Sequence, residues 1–135
     1  MIFADASFYQ ALLNSRDENH DEASSVVNLV GSRRVLTTPP PEWVLTELLN
    51  TFSRPDNARR SAARFISRLL ENPAIEVVHA DHASFQQALA LYSTRPDKQW
   101  SLTDCMSFQL MWDRGITHAL AFDDHFWQAG FTPFK

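Results

Sequence analysis

Short apolar runs alternate along this chain with longer stretches of helical spacing. Four runs have the length and the branched or aromatic content of buried strands: IFAD (Ile2 to Asp5), RVLTT (Arg34 to Thr38), IEVVHA (Ile75 to Ala80) and THALAFD (Thr117 to Asp123). A fifth, GFTPF (Gly130 to Phe134), predicts an edge strand, because Pro133 has no N–H to give a central ladder. Between them the pattern predicts helices over Ser7 to Asn14, Asp21 to Gly31, Pro41 to Phe52, Pro55 to Glu71, Asp81 to Tyr92 and Thr103 to Arg114. Acids open the second of these, and the proline-rich TTPPPEW leads into the third, where proline is tolerated in a first turn. Phe65, Ile66, Leu69 and Leu70 mark the apolar face of the fourth; Phe85, Ala88, Leu89 and Tyr92 mark that of the fifth. Strands alternating with helices predict an α/β fold around a mainly parallel sheet, with right-handed crossovers and helices on both faces.

A length of 135 residues fits one domain, 1–135, and no repeat, linker or low-complexity tract divides it. With 44% hydrophobic and 21% charged residues, the chain has enough apolar surface for a packed core. The net charge of −4 argues against nucleic-acid binding through bulk charge, but not against a nuclease whose site needs acids. One cysteine, Cys105, forms no intrachain disulfide and no zinc cluster, which suits a reducing cytoplasm. The N-terminal MIFADASFYQALLN lacks a basic n-region, and no run nears the ~18 apolar residues of a membrane span. The expectation is a cytoplasmic protein with no membrane partner.

The chemistry lies in where the acids fall. Asp5 ends the first predicted strand and Asp123 the fourth, with Asp124 beside it. In an open α/β sheet, ligands bind beyond the carboxyl ends of the strands, so parallel neighbours would bring Asp5 and Asp123 to one rim. Glu47 and Asp104 reach the same rim from early helical turns. Each acid has an ordinary explanation alone. Asp104 suits a helix start capped by Ser101 or Thr103, Glu47 suits a solvated helix face, and Asp5 and Asp123 suit turns. Together they make an electrostatic conflict. Two carboxylates ~5 Å apart repel by about 3 kcal/mol at an effective dielectric near 20. Four raise one another's pKa values or demand a cation, and all-oxygen ligation suits Mg²⁺ or Mn²⁺.

In their order, FADAS, VLTELLN, SLTDCMSF and ALAFDDHF resemble the PIN-domain ribonucleases, especially the VapC-like toxins of bacterial toxin–antitoxin pairs. The resemblance runs from Ile2 to Phe131. It implies a PIN-like three-layer α/β/α sandwich with a central parallel sheet of four or five strands. It also implies metal-dependent RNA cleavage, a homodimer and a neutralising antitoxin. Carried over by motif, Asp5, Glu47, Asp104 and Asp123 are the four acids of the family. Asp5, Asp104 and Asp123 would ligate Mg²⁺ or Mn²⁺ directly or through water, and Glu47 would hold a metal-bound water or a second metal. Ser7 matches a small polar residue that follows the first acid, and Ser101 would support the turn at Asp104. One position departs: the family often has Thr or Ser two residues before the fourth acid, where this chain has Ala121.

Arg60, Arg64 and Arg68 share a helix face at four-residue spacing, either as a solvated face or as a track for an RNA backbone or acidic partner. His125 is either a surface residue near a helix start or a phosphate contact or proton shuttle. Two functions from different classes stand: a metal-dependent endoribonuclease toxin, and a catalytically weak or inactive PIN-like module that binds RNA or a protein partner. Phosphatase chemistry of the haloacid dehalogenase type is disfavoured, because it needs an aspartate where this chain has Ser7.

Overall fold

A computed structural model describes residues 1–32, 40–73 and 77–134. In chain order the elements are β1 (Ile2–Ala4), α1 (Ala6–Leu13), α2 (His20–Ser32), α3 (Glu42–Thr51), α4 (Asn57–Glu71), α5 (His82–Thr94), α6 (Leu102–Asp113), β2 (His118–Leu120), α7 (His125–Gln128) and β3 (Thr132–Pro133).

β1, β2 and β3 lie side by side, all parallel, with Phe3 opposite Ala119 and Ala119 opposite Pro133. Successive side chains of a strand point to opposite faces, and a strand covered on both sides must be apolar throughout. β1 meets that demand: Phe3 enters a core with Phe108, Met111 and Phe126, while Ile2 and Ala4 enter a second core with Phe8, Ala11 and Ala23. α6 and α7 cover one face, and α1 and α2 the other. A third cluster, built on Leu45, Leu48, Phe52, Ala62 and Ile66, joins α3 to α4. This is the expected α/β arrangement in three layers.

Two glycines turn helices back into strands. After α6, the Gly115 N–H donates to Trp112 O and the Ile116 N–H to Met111 O, with Gly115 at φ 65°. After α7, Gly130 and Phe131 repeat the pattern onto Trp127 O and Phe126 O, with Gly130 at φ 95°. Both are Schellman closures, which need the left-handed conformation that glycine adopts without a Cβ penalty.

Several expectations shift. The second predicted strand, Arg34 to Thr38, lies outside the described residues. So does the start of the third; its remainder contributes an isolated parallel bridge between Val78 and Pro41. Three strands are therefore seen among the described residues, against the four or five expected. The run from Thr117 to Asp123 pairs as a strand only as far as Leu120, and beyond it a backbone N–H turns to a side chain. Leu120 O accepts the Asp5 N–H at 3.0 Å, and the Phe122 N–H donates to Ser7 Oγ at 3.1 Å. The expected apolar face of α5 is mostly outward: Ala88 is buried, whereas Phe85, Leu89 and Tyr92 are exposed. Ala88 and the partly buried Leu91 pack against the core instead, leaving Phe85, Leu89 and Tyr92 outside.

Candidate active site

The C-terminal ends of β1 and β2 and the N-terminal turns of α1, α6 and α7 converge on one rim. Asp5 leaves β1 in extended conformation and caps α1, its Oδ2 accepting from Ser7 N at 3.3 Å and Ser7 Oγ at 3.0 Å. That capping would be routine at a surface, but Asp5 is only 4% exposed. Ser7 Oγ also takes the Phe122 N–H, so one hydroxyl ties the turn after β1 to the turn after β2.

Asp104 lies in the first turn of α6 and closes a capping box with Ser101. The Ser101 N–H donates to Asp104 Oδ2, and the Asp104 N–H to Ser101 Oγ, each at 3.0 Å. The helix-start account of Asp104 is therefore correct as far as it goes. It does not explain why the carboxylate is 5% exposed or why His125 Nδ1 sits 2.8 Å from the same Oδ2. The ring nitrogen and the carboxylate oxygen share one hydrogen bond across the two helices. Asp123 stands in the loop between β2 and α7, half-buried, its Oδ1 accepting the His125 N–H at 3.1 Å. Asp124 is the N-cap of α7 by position, with no side-chain hydrogen bond to the helix.

Glu47 reaches the rim from α3. Its Oε2 is shielded from solvent and has no hydrogen-bond partner among the described residues. α3 is held against α6 by the Trp43 indole N–H, which donates to the buried Ser107 Oγ at 3.1 Å and fixes Glu47 relative to Asp104. A cleft of about 310 Å³ with mixed polar and apolar walls opens beside Glu47, between Trp43, Thr46, Asn50 and Thr103.

The protonation behaviour follows from this crowding. Burial, then the charges of Asp123 and Asp104, push Asp5 up to about 6. Burial, then Asp5, Asp104 and Asp123, push Glu47 up to about 7. Asp123 is raised as well, by burial and by Asp104. These acids are neighbours competing for too little compensating charge. His125 partly offsets the conflict at Glu47 and Asp123.

The structure thus brings Asp5, Glu47, Asp104, Asp123, Ser7 and Ser101 to one place. Arg60, Arg64 and Arg68 stand elsewhere, exposed along α4, with no hydrogen bond or ion pair to the cluster among the described residues. His125, expected at the surface or as a phosphate contact or proton shuttle near the site, lies at the rim with its ring against Asp104. No local signal gives this contact, because it joins residues 21 positions apart.

The donor set fits a hard divalent cation: all-oxygen, over-acidic, and with one carboxylate oxygen buried and unpartnered. Asp104, Asp123 and His125 each place one potential ligand atom within 4.8 Å of the others.

A parallel sheet between helical layers, with acids gathered at its carboxyl rim, defines a nuclease-type α/β domain. The family model of the PIN domain matches residues 2–131, and the chain belongs to that family. It is 32% identical, across 97% of its own length and 95% of the relative's, to the 23S rRNA-specific endonuclease VapC20 of Mycobacterium tuberculosis. The crystal structure of VapC20, a sarcin–ricin loop cleaving toxin, superposes with a TM-score of 0.83 at 29% identity, covering 98% of this chain and 97% of that one. Among the described residues no helix is long and apolar enough to cross a membrane.

Proposed function

We propose that this protein is a metal-dependent endoribonuclease, the toxin of a toxin–antitoxin pair, acting in the cytoplasm as a homodimer. The observation that carries this reading is the unpartnered Glu47 Oε2 facing three further carboxylates at the sheet rim. Asp5, Asp104 and Asp123 hold Mg²⁺ or Mn²⁺, and Glu47 completes the site. When bound, such a cation lowers the pKa of a coordinated water and offsets charge on the leaving oxygen. Glu47 Oε2, with no donor of its own, accepts a hydrogen bond from the attacking water and orients it. Ser7 and Ser101 keep Asp5 and Asp104 from turning away. The likeness to VapC20 makes the sarcin–ricin loop of 23S rRNA the first substrate to try. An antitoxin protein is the partner expected to silence the site.

The test is cleavage of ribosomal RNA by purified protein with Mg²⁺ or Mn²⁺, followed by end mapping, alongside Asp5→Asn and Asp104→Asn. Wild type should cut and both variants should not. Equal cutting by all three would mean a contaminating nuclease. The reading as an inactive binding module, motivated by Ala121, predicts no cation uptake in a titration and no cleavage.

A further inference from the structure

We propose that His125 is a positioning residue of the acidic site: its ring fixes the carboxylate of Asp104 while its backbone N–H fixes that of Asp123, presetting both for one divalent cation. The inference rests on the metal-dependent reading above and concerns what holds its ligands in place.

Asp104 Oδ2 has two lone pairs, and both are used. Ser101 N takes one at 3.0 Å and His125 Nδ1 the other at 2.8 Å. Among the described residues no donor reaches Oδ1, which stays available as a ligand atom. The two donors differ in origin. Ser101 belongs to the same helix start, so the capping box alone fixes Asp104 only relative to α6. His125 comes from α7 and ties that carboxylate to the segment carrying Asp123, whose Oδ1 accepts the His125 N–H at 3.1 Å. One residue therefore sets the relative placement of two acids from different segments.

His125 is itself held. The next residue, Phe126, is fully buried, stacked on Phe3 at 5.7 Å and edge-on to Phe108 at 4.9 Å. The His125 side chain is 29% exposed, against 74% for His79, which makes an equally short contact with Glu42 at the open surface. A surface pair of that kind is loosely held, whereas a half-buried imidazole between two anchored helices has little freedom. Hydrogen bonds of this sort orient metal ligands, and losing one typically weakens metal binding by about 10–100-fold.

The experiment compares full-length wild type with His125→Ala, His125→Asn, His125→Gln and Asp104→Asn. An asparagine amide nitrogen falls near the place of Nδ1, whereas a glutamine nitrogen falls near that of Nε2. Mn²⁺ affinity is read by calorimetry, the metal environment by electron spin-echo modulation, folding by metal-free Tm, and cleavage by kcat and KM. His125→Ala and His125→Gln should bind Mn²⁺ about 10–100-fold more weakly, with cleavage recovered at high Mn²⁺ and KM for RNA unchanged. His125→Asn should stay within about threefold of wild type, and wild type should show no directly coordinated imidazole nitrogen. Wild-type Mn²⁺ affinity in a folded His125→Ala protein overturns the inference. So does a coordinated nitrogen in wild type, which makes His125 a ligand, or a raised KM for RNA at unchanged Mn²⁺ affinity, which makes it a substrate contact. If wild type binds no Mn²⁺ while remaining folded, the metal-dependent reading itself fails and this inference falls with it.

Discussion

α1 and α5 begin in the same way, yet their first acids behave in opposite ways. Asp5 caps α1 and accepts from the N–H and hydroxyl of Ser7; Asp81 caps α5 and accepts from the N–H and hydroxyl of Ser84. At Asp81, in open solvent, those hydrogen bonds hold the carboxyl below its ordinary value. At Asp5 burial and the charges of Asp123 and Asp104 override the same pair of bonds and push it up to about 6. Local capping chemistry is therefore not what makes an aspartate reactive. What matters is whether the fold removes its water and surrounds it with its own kind.

The largest expected effect separates the two caps by activity. Asp5→Asn keeps a capping side chain but removes a charge from the rim, and should lower single-turnover RNA cleavage by at least about 10²-fold, the scale of one preorganised electrostatic group. Asp81→Asn should leave the rate within about twofold of wild type. Equal losses in both variants would mean that capping, not charge, is what the reaction needs.

Stability sharpens the same contrast through its sign. Asp5 and Glu47 have folded pKa values raised above 3.8 and 4.5, to about 6 and about 7. Between those limits the native protein holds more protons than the unfolded chain, so its stability should fall as pH rises from about 4 to about 7. Saturating Mn²⁺ should cancel most of that fall by taking the place of the protons. Asp81, shifted downward, contributes in the other direction: its stabilisation is present at neutral pH and lost in acid. In melting curves of metal-free protein at pH 8, Asp5→Asn should raise Tm by several degrees and flatten the pH slope. Asp81→Ala should lower Tm and leave the slope. A metal-free Tm that does not change between pH 5 and 8 would contradict the crowding described at the rim.

Ser7→Ala removes the hydroxyl shared by Asp5 and Phe122 without touching a carboxylate. Its cleavage rate should fall by about tenfold, less than for Asp5→Asn, with Mn²⁺ affinity weakened in step. The smallest effect is expected far from either cap. Reversing the charges of Arg60 and Arg64 on the exposed face of α4 should weaken RNA or antitoxin binding by a few-fold and reduce its salt dependence. A salt series identical to wild type would assign that face to solvent.

The contrast between the two caps also marks how far sequence could lead. Asp5 and Asp123 were legible because strand ends share a rim when their strands are parallel, and β1 and β2 are parallel neighbours. Glu47 and Asp104 were legible as early-turn residues of helices next to that rim. As helix starts, Asp5 and Asp81 look alike: each is an acid before a helix with a serine close behind. Strand order and motif single out Asp5, but its burial comes from the packing of Phe3, Phe108 and Phe126 around the rim. The same packing sets the His125 ring against Asp104, a contact between residues 21 positions apart that no local spacing encodes. The buried face of α5 departs from its apolar spacing for the converse reason. Its apolar spacing is helical, but Ala88 and Leu91 rather than Phe85, Leu89 and Tyr92 pack against the core.

Trp100 draws these threads into something measurable without a label. It precedes the capping Ser101, is 5% exposed, and carries the Arg95 guanidinium 5.0 Å from its ring. Its indole N–H donates to Gln128 Oε1 at the last residue of α7. The chromophore therefore bridges the helix that bears Asp104 and the helix that bears His125. In a protein whose other three tryptophans are replaced by phenylalanine, its emission would report the docking of those two helices.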